Sequence, residues 1–106
     1  MKKEIADNEP YTLGIWTVKS GHESEFIKVW STFATWTAKN YPGIGKANLL
    51  QDLDNPSKFV SYGLWDDVKT IKRWRETDEF KAFVIKVKNL CDDFLPTTMM
   101  LVYSTK

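Results

Sequence analysis

A single cysteine, Cys91, stands in 106 residues, so no internal disulfide can form and no cysteine-rich zinc site can be built. Histidine is as scarce: His22 is alone, which removes any His-Glu-x-x-His helix. Fifteen basic residues against fourteen acidic ones leave a formal charge of +1, too little to drive the chain onto nucleic acid or an anionic membrane. No apolar run approaches the ~20 residues that cross a bilayer. Met1-Lys2-Lys3-Glu4 is followed by no apolar stretch of the signal-peptide kind. These absences point to a cytoplasmic protein. Five scattered glycines form neither a phosphate-cradling loop nor a nucleophile elbow. Metal, nucleotide and triad chemistry therefore find no recognisable motif here.

Aromatic residues, in contrast, are plentiful, with six Phe, five Trp and four Tyr. The most informative segment is Ser57-Lys58-Phe59-Val60-Ser61-Tyr62-Gly63-Leu64-Trp65-Asp66-Asp67. On a strand, Val60, Tyr62 and Leu64 point one way, while Phe59, Ser61, Gly63 and Trp65 point the other. A strand apolar on both faces must be covered on both. One cover can come from the chain's own helices. The other has to come from elsewhere.

Residues 1–10 read as a polar, aperiodic tail, and 11–106 as a single domain. A first strand is expected at 11–18, and Ser20-Gly21-His22-Glu23 has the Ser-x-x-Glu spacing of a capping box. A helix over 22–39 places Phe26, Val29, Trp30, Phe33 and Trp36 on one side, and Asn40-Tyr41-Pro42-Gly43 stops it. A second strand at 44–52 and a turn at Asp54-Asn55-Pro56-Ser57 lead into the two-faced strand. Asp66 and Asp67 suit a helix start, giving a short helix at 67–75 with Val68, Ile71 and Trp74 inward. Thr77-Asp78-Glu79 opens another, 78–92, whose stripe is Phe80, Phe83, Val84, Val87 and Cys91. Pro96 then admits a last strand at 97–104.

The order β-α-β-β-α-α-β is that of an α+β, ferredoxin-like split βαβ sandwich with an antiparallel sheet. Helices would cover one sheet face and leave Leu13, Ile15, Val60, Tyr62 and Leu64 bare on the other. That is more apolar surface than a monomer leaves in water. A second copy would cover it symmetrically, so a homodimer built sheet to sheet is expected.

With that frame, a set of short segments resembles the antibiotic biosynthesis monooxygenase family of dimeric α+β barrels. They are Val18-Lys19-Ser20-Gly21-His22-Glu23-Ser24-Glu25-Phe26, Tyr41-Pro42-Gly43, Asp54-Asn55-Pro56, the Phe59-to-Trp65 strand, and Thr77-Asp78-Glu79-Phe80. Their order and spacing agree over roughly residues 11–104. The resemblance implies a cavity in each subunit between sheet and helices, with the strand-ending Trp65 on its wall. It also implies oxidation of flat aromatic quinols by molecular oxygen without a cofactor. Quinol-oxidising relatives tend to carry an amide where this chain has Ser61, which can donate one hydrogen bond to a phenolate or carbonyl but not two. Haem-degrading relatives need a histidine where this chain has Val84 and an asparagine where it has Gly14; neither residue here can serve haem.

The residues themselves point to the same place. Gly14 and Gly63 lie on the parity of Trp16 and Trp65, and glycine inside a strand marks a close approach of ligand or backbone. A pocket floored by the two glycines and walled by the two indoles is expected. Trp30, Phe33 and Phe83 from the helices either border that space or pack into it. Trp65 and Ser61 are the candidate catalytic pair; Gly14, Trp16, Gly63, Trp30 and Phe83 are candidate ligand contacts. No cofactor or metal is expected. His22 reads as a solvated helix-start residue, Cys91 as a small core residue, and Lys69, Lys72, Arg73 and Arg75 as a basic helix face with one cation able to reach a cavity mouth. The reading is a monooxygenase for a small planar aromatic. A non-catalytic dimeric binder of an apolar metabolite is the alternative, and an RNA-recognition-like module a third, weakened because Leu13, Ile15, Val60 and Leu64 surround Tyr62.

Overall fold

The computed structural model describes residues 9–105; residues 1–8 of the expected tail lie outside the described residues. The elements are β1 Pro10–Val18, α1 Glu23–Asn40, β2 Ala47–Gln51, β3 Lys58–Leu64, α2 Val68–Arg75, α3 Asp78–Leu90 and β4 Cys91–Met100. The strands form one antiparallel sheet in the order β2-β3-β1-β4, the ferredoxin-like arrangement expected from the element order.

Parity along β1 and β3 divides the residues as the alternation predicts. Trp16, Val18, Phe59, Ser61 and Trp65 are buried, and so are Gly14 and Gly63. The core joins Trp16, Val18 and Phe59 to Phe26 of α1 and to Phe83, Val87 and Leu90 of α3. Each such side chain stabilises the fold by about 1.5–3 kcal/mol on burial. Among the described residues, the core cluster takes no residue from the opposite sheet face. There Leu50 pairs with Val60, Val60 with Ile15, and Ile15 with Leu95, an aliphatic row crossing all four strands.

Four local expectations are corrected. The capping box does not form: His22 occupies the cap position of α1 without a side-chain cap bond. Glu23 instead reaches back to accept the Gly21 amide at 3.0 Å and the Ser57 hydroxyl at 2.8 Å. The Ser57 hydrogen bond, chiefly, holds the Glu23 carboxyl below its ordinary pKa, and it ties the helix start to the β2–β3 hairpin. The other two helices start as read, with Asp67 Oδ1 accepting the Thr70 amide and Thr77 Oγ1 the Phe80 amide.

The second correction concerns Cys91. It is buried but extended, at φ −119° and ψ 145°, so α3 ends at Leu90 and β4 follows without a loop. Third, Pro96 lies inside β4, opposite Gly14, rather than before a strand at 97–104. β4 is an edge strand, where the N–H groups facing away from the sheet are dispensable and proline is tolerated. β2 is likewise shorter than the expected 44–52.

Candidate active site

Between the helix-facing side of the sheet and the three helices lies a cleft of about 80 Å³. One water needs roughly 10–15 Å³ on this scale, so the cleft has room for several waters or part of a flat ring. Its sheet side is Thr12, Trp16, Ser61, Gly63, Phe94 and Pro96; its helix side is Trp30, Phe33, Thr37, Trp74, Phe80 and Phe83, with Trp65 at the junction.

The rings brace one another. Trp16 stacks on Phe94 with centroids 4.3 Å apart and planes 7° from parallel. Phe33 stacks on Phe83 at 4.3 Å and 12°. Trp65 leans on Trp74 at 5.0 Å and meets Tyr41 edge-on at 6.0 Å. Such pairs contribute about 0.5–1.5 kcal/mol each beyond their burial, and they hold the wall in fixed orientations.

Three indoles in this wall share one device. Trp16 Nε1–H donates to Ser61 Oγ, Trp65 Nε1–H to Thr12 Oγ1 and Trp74 Nε1–H to Thr37 Oγ1, each at 3.0 Å. Each hydroxyl thereby spends a lone pair and retains its own O–H. Among the described residues none of the three donates that proton to a protein acceptor. The cleft therefore offers hydroxyl protons set among aromatic faces.

Arg75, the last residue of α2, also borders the cleft. Its Nη1 donates to Thr98 Oγ1 at 2.9 Å and its Nη2 to the Thr97 carbonyl at 3.4 Å. Burial lowers its pKa from the ordinary value, and an arginine stays charged regardless. No aspartate, glutamate, histidine, lysine or cysteine is among the lining residues.

Of the residues proposed from sequence, Trp16, Trp30, Ser61, Gly63, Trp65 and Phe83 all border the cleft. Gly14 does not. A Cβ there would stand 2.6 Å from Trp16 Cζ2 and 2.7 Å from its Nε1, so the indole occupies the space the missing side chain leaves. The glycine serves a close approach, but by the protein's own ring. His22 lies away from the cleft, exposed and 3.4 Å from Glu25, and Val84 packs against the core.

Thr37 and Trp74 were not among the site residues expected from sequence, and Arg75 was expected only as one of four cations able to reach a cavity mouth. Thr37 carried a signal, a hydroxyl four residues after Phe33 and seven after Trp30 on an otherwise apolar helical stripe. Burial of its side chain to 2% exposure requires a partner, and Trp74 supplies it. Arg75 was only one cation of a basic run, and its sequence neighbours do not distinguish it.

The family model described as antibiotic biosynthesis monooxygenase matches residues 13–86. No curated protein matches the sequence significantly. Among solved structures, a variant of SnoaB, a cofactor-independent oxygenase from Streptomyces nogalater, is similar at TM-score 0.79 and 22% identity, covering 87% of this chain and 91% of that one. A conserved protein from Methanosarcina mazei Go1 is similar at TM-score 0.79 and 18% identity over 89% of this chain and 93% of that one. A Nitrosomonas europaea protein provisionally placed among antibiotic biosynthesis monooxygenases reaches TM-score 0.80 at 18% identity, over 93% and 95% of the two chains. At these identities the likeness is one of fold.

Proposed function

The chain belongs to the antibiotic biosynthesis monooxygenase family, and from that premise we propose that it is an oxygenase that oxidises a small planar aromatic or quinol-type substrate with O2 in the cleft between sheet and helices. The observation that carries this reading is the composition of the wall: aromatic faces, three indole-bonded hydroxyls and one guanidinium, with no carboxylate, imidazole, amine or thiol among the lining residues. Such a wall can sandwich a flat ring, exclude water and hold ring oxygens. The electrons must then come from the substrate. An ionised quinol or anthrone, once desolvated, gives one electron to O2, and the radical pair closes a carbon–oxygen bond. Loss of water from the resulting hydroperoxide leaves a ketone, with one oxygen atom in the product and one in water.

Trp65 and Ser61 take the central roles in this proposal, Trp65 as a stacking wall and Ser61 as the donor to a phenolate or carbonyl oxygen. Gly63 keeps the sheet side open beside them. Trp16, Trp30 and Phe83 complete the aromatic enclosure.

The working unit in this reading is a homodimer. Leu50, Val60, Ile15 and Leu95 form an aliphatic row on the open sheet face, flanked by Leu13, Tyr62 and Leu64, and Leu50 and Leu95 are 54% and 56% exposed. A second copy of the chain would bury that row on both sides at once.

Oxygen consumption over a panel of hydroquinones and anthrones tests the activity. Uptake of one O2 per product carbonyl supports it. Saturable binding of the same compounds with no oxygen uptake would replace it with a non-catalytic binding role.

A further inference from the structure

Among the described residues the cleft has one charged group on its wall, and none of them gives that group a counter-ion. Arg75 leaves the end of α2 and lies against β4, where a threonine hydroxyl and a backbone carbonyl take two of its five N–H donors. Among the described residues no carboxylate lies within salt-bridge distance of it. The side chain is half-buried and borders the cleft. A guanidinium drawn partly out of water costs free energy that neutral acceptors offset only in part. Its planar fork matches a carboxylate or another pair of anionic oxygens.

Two further observations point to the same ligand. Thr12, Thr37 and Ser61 each hold an indole N–H and keep an O–H to give, so ligand groups deeper in the cleft are best matched as acceptors. The lining has no carboxylate, imidazole, amine or thiol to take a proton from a neutral ligand. A ligand that works as an anion must arrive as one.

We propose that Arg75 is the anion-recognition residue of this cleft and that its ligand is a planar aromatic anion, a ring bearing a carboxylate or an ionised phenol. The proposal rests on the reading that the cleft is the binding site, and it narrows the substrate class within that reading.

Calorimetric titration with 2-naphthoate and 2-naphthamide tests it, since the two share a ring and differ in charge. The parent protein should bind the naphthoate about tenfold to a hundredfold more tightly, the range a charge-assisted hydrogen bond supplies. Arg75→Gln should bind both compounds with the parent's affinity for the amide. Lys72→Gln, which removes an exposed cation from the same helix, should leave the ratio unchanged. Arg75→Lys keeps the charge without the fork and should retain a reduced preference; it carries the test with the parent's own ratio if Arg75→Gln does not fold. Equal binding of the two compounds by the parent, or a preference that survives Arg75→Gln, overturns the role of Arg75 and leaves the cleft reading intact. Failure of both compounds to bind the parent overturns the cleft reading and the proposal together.

Discussion

The indole N–H of Trp16 crosses from β1 to β3 and donates to Ser61 Oγ at 3.0 Å, with both residues buried. Ser61 is not the register partner of Trp16; it sits opposite Gly14, two residues back. The ring reaches it only by lying across Gly14, where a side chain would collide. One missing Cβ thus orients an indole, and the indole orients the proposed donor hydroxyl.

Replacing Gly14 with alanine should therefore displace Trp16 rather than fill an empty space. The inserted carbon would force the ring off Ser61 and off its stack with Phe94. A loss of about 1–3 kcal/mol is expected, as for other overpacked cores, read as a fall in melting temperature of several degrees. An unchanged melt would mean that the ring can relax without cost.

Trp65 is 2% exposed and bonded to Thr12, so its truncation tests packing and binding together. Trp65→Ala should cost about 3–5 kcal/mol. Trp65→Phe, which keeps a ring, should stay folded and bind a planar aromatic more weakly than the parent. Equal affinity of the phenylalanine and alanine variants for the ligand, both matching the parent, would make Trp65 a core residue and no part of the site.

Val60 lies at the centre of the aliphatic row, between Leu50 and Ile15. A lysine there puts a charge into any sheet-to-sheet interface. Val60→Lys is expected to halve the mass measured by light scattering or to prevent folding. A dimer of undiminished mass would move the interface elsewhere.

Burial, aided by the neighbouring Asp92 carboxylate, pushes the Cys91 thiol up to about 11 from 9.0. The unfolded chain ionises at the lower value and the folded chain at the higher. Stability from the neutral buried thiol is thus fully present below pH 9 and is lost as pH rises toward 11. The loss amounts to about 2–3 kcal/mol. Denaturant titrations of the parent should fall over that range relative to Cys91→Ala; parallel curves would show the thiol to be solvated.

Much of this geometry was legible in one dimension because strands repeat every two residues. Phe59, Ser61, Gly63 and Trp65 had to share a face once the segment was a strand, and Thr12, Gly14 and Trp16 had to share one on β1. Helix starts at Asp67 and Thr77 were equally local, since a cap is made by a side chain and an amide three residues apart. Cys91 marks where locality fails. An apolar residue four after Val87 fits a helical stripe, and the same residue fits the first position of an edge strand. Hydrogen bonding to β1 selects the second.

Alternation of residue type by itself determined the sheet's two apolar faces, the element order and the clustering of glycine with tryptophan on the inner side, because each follows from spacing along a regular backbone. Only tertiary structure decided that Trp16 rather than a ligand lies over Gly14, that each of three indoles meets a hydroxyl, and that Arg75 alone of its basic run reaches the cleft. Those outcomes depend on distances between segments far apart in the chain, set by how helices and sheet pack and not by any local preference of the residues involved.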